Sequence, residues 1–275
     1  MKILICTDGS SGSVQSAEFI AKLGFPADTP ITVLGVREHM RDLPNLNTSI
    51  GLIDKSLGKS YKLDKVIRKG NPIEEILSEA LETPYDLVAL GGGGKQLGLL
   101  RPNLGSTARK LVRQLHTHFL VIRNLPQKIS KILVCAGSDS PSRTTMELAG
   151  KWIANTSAQV GLIHVLRKNI ASQVKRSNTD NESKETLSLT DENTDPILTQ
   201  AVQQLRAAGV NNDISTIMRH GLIVAEVLKE LSDGNYDLLV VGAHYQPGQD
   251  RWQETLLDDV TDQLLSHSTC SVLII

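Results

Sequence analysis

Residues 91 to 107 carry the pattern best suited to chemistry. Four consecutive glycines, Gly91 to Gly94, follow the apolar run Leu87 to Leu90. After ten intervening residues, Gly105-Ser106-Thr107 opens the helical pattern Ala108, Leu111, Val112 and Leu115. An apolar run that short fits a buried strand. Glycine lets the backbone approach a ligand closely and adopt positive φ. The first N–H groups of a helix have no partner within it and favour an anion. A strand feeding a glycine loop, with a second glycine opening a helix, is a phosphate site in outline. The same pattern also reads as a flexible loop before a helix that Ser106 or Thr107 caps. It is not a P-loop. Gly94-Lys95 would be the Gly-Lys pair, but Gln96 stands where Ser or Thr must reach magnesium, and Ala89 where the first glycine belongs.

The other candidate is a carboxylate. The opening run Lys2-Ile3-Leu4-Ile5-Cys6 ends in Thr7-Asp8-Gly9-Ser10. In an open parallel sheet, ligands bind at the carboxyl ends of strands where the winding reverses. That places the end of strand one beside the end of strand four. Asp8 could there accept hydrogen bonds from ribose hydroxyls or an exocyclic amine, or it could shape the turn and cap the next helix. Val36 closes the second strand. Its backbone could meet the edge of a base, or it is a plain core valine. Other catalytic apparatus is sparse: the seven histidines include no HExxH pair, and the chain has no G-x-S-x-G elbow. His116, His118 and His164 read as core or surface residues. No carboxylate pair is placed to hold magnesium and water together, as phosphoryl transfer requires.

The elements that must position these groups occur twice. Lys2 to Cys6 returns as Lys131-Ile132-Leu133-Val134-Cys135, each copy followed by a Gly/Ser turn and a helix-like stretch, Ser13 to Leu23 and Ser142 to Ala154. The runs Ile31 to Val36 and Val160 to Val165 come next. Gly70 starts GNPIEEILSEALETPYDLVALG, and Gly221, 151 residues later, starts GLIVAEVLKELSDGNYDLLVVG. The halves close with Phe119 to Ile122 and Ser271 to Ile275. Short apolar strands alternating with amphipathic helices imply a parallel sheet with helices on both faces. The expectation is α/β: two tandem doubly wound domains, 1–125 and 128–275, each with five parallel strands. Asn124-Leu125-Pro126-Gln127 is the linker. Residues 37 to 62 look irregular and are not assigned a full helix. A polar insertion at about 168–195 has almost no core residues and reads as a surface loop.

Composition bounds the class. The 275 residues are 40% hydrophobic and only 3% aromatic, so the cores are aliphatic. A formal net charge of -1 argues against binding nucleic acid or an anionic membrane by charge alone. No apolar stretch approaches the roughly 20 residues of a membrane span, and no signal peptide is visible. The three cysteines, Cys6, Cys135 and Cys270, lack metal-ligand spacing and read as buried free thiols. A cytoplasmic location is expected.

This constellation resembles the universal stress protein family over nearly the whole chain, twice. The opening run with Asp8-Gly9-Ser10 carries the likeness, as do Gly70-Asn71-Pro72-Ile73-Glu74-Glu75-Ile76 and the path from Tyr85-Asp86-Leu87 to Gly91. The family motif is Gly-x2-Gly-x9-Gly-Ser/Thr. Gly91, Gly94 and Gly105-Ser106 match it, except that ten residues instead of nine separate the last two glycines. The resemblance implies an adenine-nucleotide alpha-hydrolase-like fold and ATP, possibly with Mg. Asp8 and the Val36 backbone would hold the adenosine end. The phosphates would lie on Gly91, Gly94, Gly105, Ser106 and Thr107, with Thr7 and Leu90 lining the pocket. Lys95 and Arg101 are read as solvated loop cations.

The second half departs from the motif. Gly137 replaces Asp8, Gly242 keeps the first glycine, Tyr245 replaces the second, and Leu257-Asp258 align with Gly105-Ser106, followed by Asp259. Carboxylates suit a helix N-terminus but repel phosphate there, so no cofactor is expected in that half. Cys135 to Ser140 loosely resembles the Ser-Gly-Gly-x-Asp-Ser loop of ATP pyrophosphatases but misses two defining positions. In family dimers the last strands often meet, which implies an intramolecular pseudo-dimer; a further homodimer is left open. The expected function is ATP-binding regulation with hydrolysis slow or absent. The alternative is a nucleotide-free interaction scaffold.

Overall fold

The computed structural model describes residues 1–58, 61–91, 106–115, 117–137, 141–166, 195–242 and 259–275. The first half runs β1 (Ile3–Thr7), α1 (Ser11–Lys22), β2 (Pro30–Arg37), α2 (Leu43–Leu57), β3 (Lys62–Lys69), α3 (Pro72–Glu82), β4 (Leu87–Gly91), α4 (Ser106–Gln114) and β5 (His118–Ile122). The second half repeats it: β6 (Lys131–Ala136), α5 (Pro141–Ile153), β7 (Gln159–Leu166), α6 (Pro196–Ala207), β8 (Ile214–His220), α7 (Ile223–Gly234), β9 (Leu238–Val241), α8 (Asp259–His267) and β10 (Ser271–Ile274).

The apolar runs become strands because both of their faces are covered. Ile3 and Ile5 pack with Phe19 and Ile20 of α1 and Ile50 and Ile53 of α2. Leu4 and Cys6 pack on the other face with Ile76 of α3 and Leu111 of α4. The second half repeats this division, with α5 and α6 on the first face and α7 and α8 on the second. The first-half order is β3-β2-β1-β4-β5, so winding reverses between β1 and β4. Parallel pairing sets Cys6 opposite Leu90 and Thr7 opposite Gly35.

The two five-stranded sheets are continuous. β5 pairs with β10 to give one ten-stranded sheet, order β3-β2-β1-β4-β5-β10-β9-β6-β7-β8. This joint is antiparallel, with Phe119 opposite Ile274, Leu120 opposite Leu273 and Val121 opposite Val272. The closing strands therefore meet as expected, and the two domains pack as a pseudo-dimer within one chain. Burying a side chain of this size contributes about 1.5–3 kcal/mol. Each of the two hydrophobic cores runs through both halves. Phe25 meets Trp152 edge-to-face at 5.5 Å across the joint. Asp262 of α8 sits 3.4 Å from both Arg109 and Arg113 of α4.

The 37–62 expectation is corrected. It holds α2, a helix of 15 residues with Leu46, Ile50, Ile53 and Leu57 buried at steps of four, three and four. Pro44 lies in its first turn, where a missing N–H costs nothing.

Both halves repeat the same polar clamps. Glu79 Oε2 accepts from the Arg68 guanidinium at 2.7 Å and its Oε1 accepts from Tyr85 at 2.7 Å. Glu230 does the same for Arg219 and Tyr236. These clamps tie the edge strands β3 and β8 to α3 and α7. Asp86 accepts the Lys2 amide at 2.6 Å, and Asp237 accepts the Ser130 amide at 2.7 Å, fixing the entries to β1 and β6. The repeated Tyr-Asp-Leu is thus a structural signature.

Candidate functional site

β1 delivers Thr7 to the carboxyl edge of the sheet, where its side chain is buried. Thr7 Oγ1 lies 2.7 Å from Ser13 Oγ and 2.8 Å from Ser49 Oγ, and it accepts the Gly9 amide at 3.1 Å. Ser13 Oγ donates to the Ser10 carbonyl at 2.7 Å. Asp8 stands exposed on this loop, and its Oδ1 accepts the Ser10 amide at 3.0 Å. Gly9 has a left-handed φ of 82°. A Cβ there would also lie 3.2 Å from Asn45 Cβ, so both conformation and space select glycine.

β4 ends beside this loop. Leu90 is buried, and a Cβ on Gly91 would lie 2.7 Å from the Gly12 carbonyl oxygen. Gly91 therefore lets β4 touch the first turn of α1. That turn has no acidic residue, and Ser10 makes no side-chain cap bond. The first turn of α4, which begins at Ser106-Thr107, has no acidic residue either, and Thr107 is half-buried. Val36, at the end of β2, is buried. The structure thus brings Thr7, Asp8, Val36, Leu90 and Gly91 to the carboxyl ends of adjacent strands. Gly94 and Gly105 lie outside the described residues, as do the Ser106 side chain and residues 168–194 of the expected insertion.

At the same level the second half is built differently. Ala136 replaces Thr7, and the register that pairs Thr7 with Gly35 pairs Ala136 with His164. His164 is buried, and its Nδ1 lies 2.9 Å from the Ala136 carbonyl oxygen. A carbonyl only accepts, so Nδ1 carries the proton. Nε2 faces Asp195 Oδ2 at 3.8 Å, and neither atom has a hydrogen-bond partner among the described residues. Asp195 Oδ1 caps α6 by accepting the Ile197 amide at 2.8 Å. The first turn of α8 carries Asp259 and Asp262. Gly242 keeps only the packing role of Gly91: a Cβ there would lie 2.8 Å from Thr145 Oγ1 of α5. Tyr245, Leu257 and Asp258 lie outside the described residues.

Sequence reasoning missed Ser13, Ser49 and Asp195. Ser49 had one visible signal: it shares a helical face with Leu46, Ile50 and Ile53. Expecting no helix there removed that signal. Among the described residues no cluster of three or more His, Cys, Asp or Glu could hold a metal, and no helix is long and apolar enough to cross a membrane. Cys6 and Cys270 are buried, Cys135 is half-buried, and all are free thiols. Burial pushes the Cys135 and Cys270 thiols up to about 12 and Cys6 higher still, which makes them poor nucleophiles.

The model of the Universal stress protein family matches residues 1–123 and again 128–275. A universal stress protein from Archaeoglobus fulgidus DSM 4304 is 15% identical, with a TM-score of 0.66, over 99% of this chain and 97% of its own. A putative universal stress protein from Pseudomonas aeruginosa UCBPP-PA14 is also 15% identical, with a TM-score of 0.63, over 100% of this chain and 92% of its own. Likeness at that identity is likeness of fold. A universal stress protein solved in complex with cAMP aligns with 54% of this chain and 96% of its own, at 21% identity and a TM-score of 0.37. No curated protein matches the sequence.

Proposed function

The chain belongs to the universal stress protein family, and from that premise we propose that it is an ATP-binding regulatory protein with a single nucleotide site, in its first domain. The domains are residues 1–125 and 128–275. Asp8 accepts hydrogen bonds from the ribose or the adenine amine, and the Val36 backbone meets the base edge. Thr7 and Leu90 line the pocket. The phosphates, with or without Mg, rest on Gly91, Gly94, Gly105, Ser106 and Thr107. ATP acts as a ligand that biases conformation or partner binding.

The observation that supports this reading is the asymmetry between equivalent ends of the two halves. In the first, an exposed carboxylate stands on a hydrogen-bonded loop, and the starts of α1 and α4 are free of acid. Unpaired N–H groups there suit phosphate. In the second, Gly137 cannot replace the carboxylate, His164 fills the strand end, and Asp259 and Asp262 occupy the helix start. Phosphate placed there would meet like charge.

A scaffold that binds no nucleotide is the second reading, favoured by the ten-residue interval between Gly94 and Gly105. Calorimetric titration with ATP separates the two. Wild type should bind one ATP per chain, and the double variant Gly105→Asp, Ser106→Asp should bind none. No binding by wild type would leave the scaffold. Two sites per chain would overturn the assignment of the second domain.

A further inference from the structure

The Ser13 and Ser49 hydroxyl oxygens beneath the Asp8 loop also lie 3.3 Å apart, and one arrangement of protons fills every hydroxyl contact of 2.8 Å or shorter. Each hydroxyl has a single hydrogen and two lone pairs. Ser13 uses its hydrogen on the Ser10 carbonyl, 2.7 Å away. At the 2.7 Å contact between Thr7 and Ser13, Thr7 must therefore donate. Having donated, Thr7 Oγ1 can only accept from Ser49 at 2.8 Å and from the Gly9 amide at 3.1 Å. Protons run in one direction: Ser49 to Thr7, Thr7 to Ser13, Ser13 to Ser10. Every site on Thr7 Oγ1 is used, and Thr7, Ser13 and Ser49 are all buried. Chains of this kind strengthen each bond they contain.

The relay grips the loop at both ends. Thr7 and Ser10 flank Asp8 and Gly9, and Gly9 is already held at positive φ against Asn45 of α2. The only member outside the segment from β1 to α1 is Ser49, from the middle of α2. The second half cannot build this relay, because Ala136 stands in place of Thr7.

We propose that Ser49 is a positioning residue for the Asp8 loop, so that α2 sets nucleotide affinity through the hydroxyl of Thr7. The affinity part rests on the nucleotide site proposed above; the loop geometry does not. Without the Ser49 hydroxyl, Thr7 Oγ1 keeps one buried lone pair unfilled, and its bond to Ser13 loses the strengthening that donation from Ser49 gives it. The loop then samples other conformations, and Asp8 loses its fixed place.

The test uses the full chain with Ser49→Ala and with Ser49→Cys, which keeps the volume but donates poorly. The first readout is hydrogen exchange at the Gly9 amide, followed by NMR without nucleotide. Gly9 should exchange about five- to tenfold faster in both variants, the worth of one hydrogen bond, while the amides of Ile50 and Ile53 in α2 keep their protection. The second readout is ATP titration, where affinity should fall by a similar factor. Unchanged Gly9 exchange in the variants would overturn the proposal. So would a rise shared equally by the α2 amides, which would mark a purely structural serine. If wild type binds no ATP, the affinity part falls with the nucleotide site, while a selective Gly9 effect still supports the positioning.

Discussion

Glu79 and Glu230 show how much one buried carboxylate can organise. Each takes an arginine on one oxygen and a tyrosine on the other. The phenols of Tyr85 and Tyr236 are pushed up to about 12, by burial first and further by the glutamate each one faces. In an unfolded chain they would ionise near 10. A raised phenol favours the folded state fully below about pH 10, and that contribution is lost as pH climbs from about 10 towards 12. Alkaline difference spectroscopy should find Tyr85 and Tyr236 ionising near pH 12 in the folded protein, and unfolding midpoints falling above about pH 10. Tyr85→Phe with Tyr236→Phe should flatten that fall. Titration of both near pH 10 in the folded protein would contradict the clamp. The repeated Tyr-Asp-Leu was legible as a repeat, but its meaning was not. Arg68, which shares Glu79 with Tyr85, lies on β3, and Lys2, which donates to Asp86, lies just before β1; no spacing rule links either to the repeat.

Among the elements, α3 and α7 are equivalents that start differently. Asn71 caps α3 by accepting the Ile73 amide at 2.9 Å. Its counterpart Leu222 gives α7 no cap bond and is 78% exposed. Leu222→Asn should therefore stabilise the protein by about 1 kcal/mol and raise the melting temperature by about 2 °C for a chain of this size. A thermal melt showing no gain or a loss would mean that Leu222 is covered in solution. The strands were legible because Ile3 to Cys6 or Leu238 to Val241 can hardly be anything but buried. α2 was not, because Asn45, Asn47, Thr48 and Gly51 are weak helix formers. Burial of Leu46, Ile50 and Ile53 against β1 and β2 outweighs that weakness, and this contact is invisible along the chain. The site divides in the same way. Gly91, Asp8 and the acid at Asp259 could be read directly, whereas Ser49 meets Thr7 only after α2 has folded over β1.

At the scale of the whole molecule, each core passes without a break from Ile3 and Ile5 to Ile132 and Val134, and from Leu4 to Leu133. Neither half can open without exposing Phe119, Leu120 and Val121 of β5 or their partners on β10. Scanning calorimetry of the full chain should therefore show one transition, with calorimetric and van't Hoff enthalpies equal. Two resolved transitions would show that the seam is weaker than the halves it joins. The duplication was legible from the repeat, and the meeting of the last strands from the family resemblance; the continuity of both cores across the seam was not. The single antiparallel joint between β5 and β10 also turns the second half end for end. The molecule consequently has two poles. At one, β1, β2 and β4 finish, and the nearest parts of the second half are the turns at Ser130 and Asp237 that lead into strands. At the other, β6, β7 and β9 finish, flanked by Leu166 and Asp195. The stretch between Leu166 and Asp195 can thus gain or lose length and charge while the opposite pole, where Asp8 stands, keeps its shape.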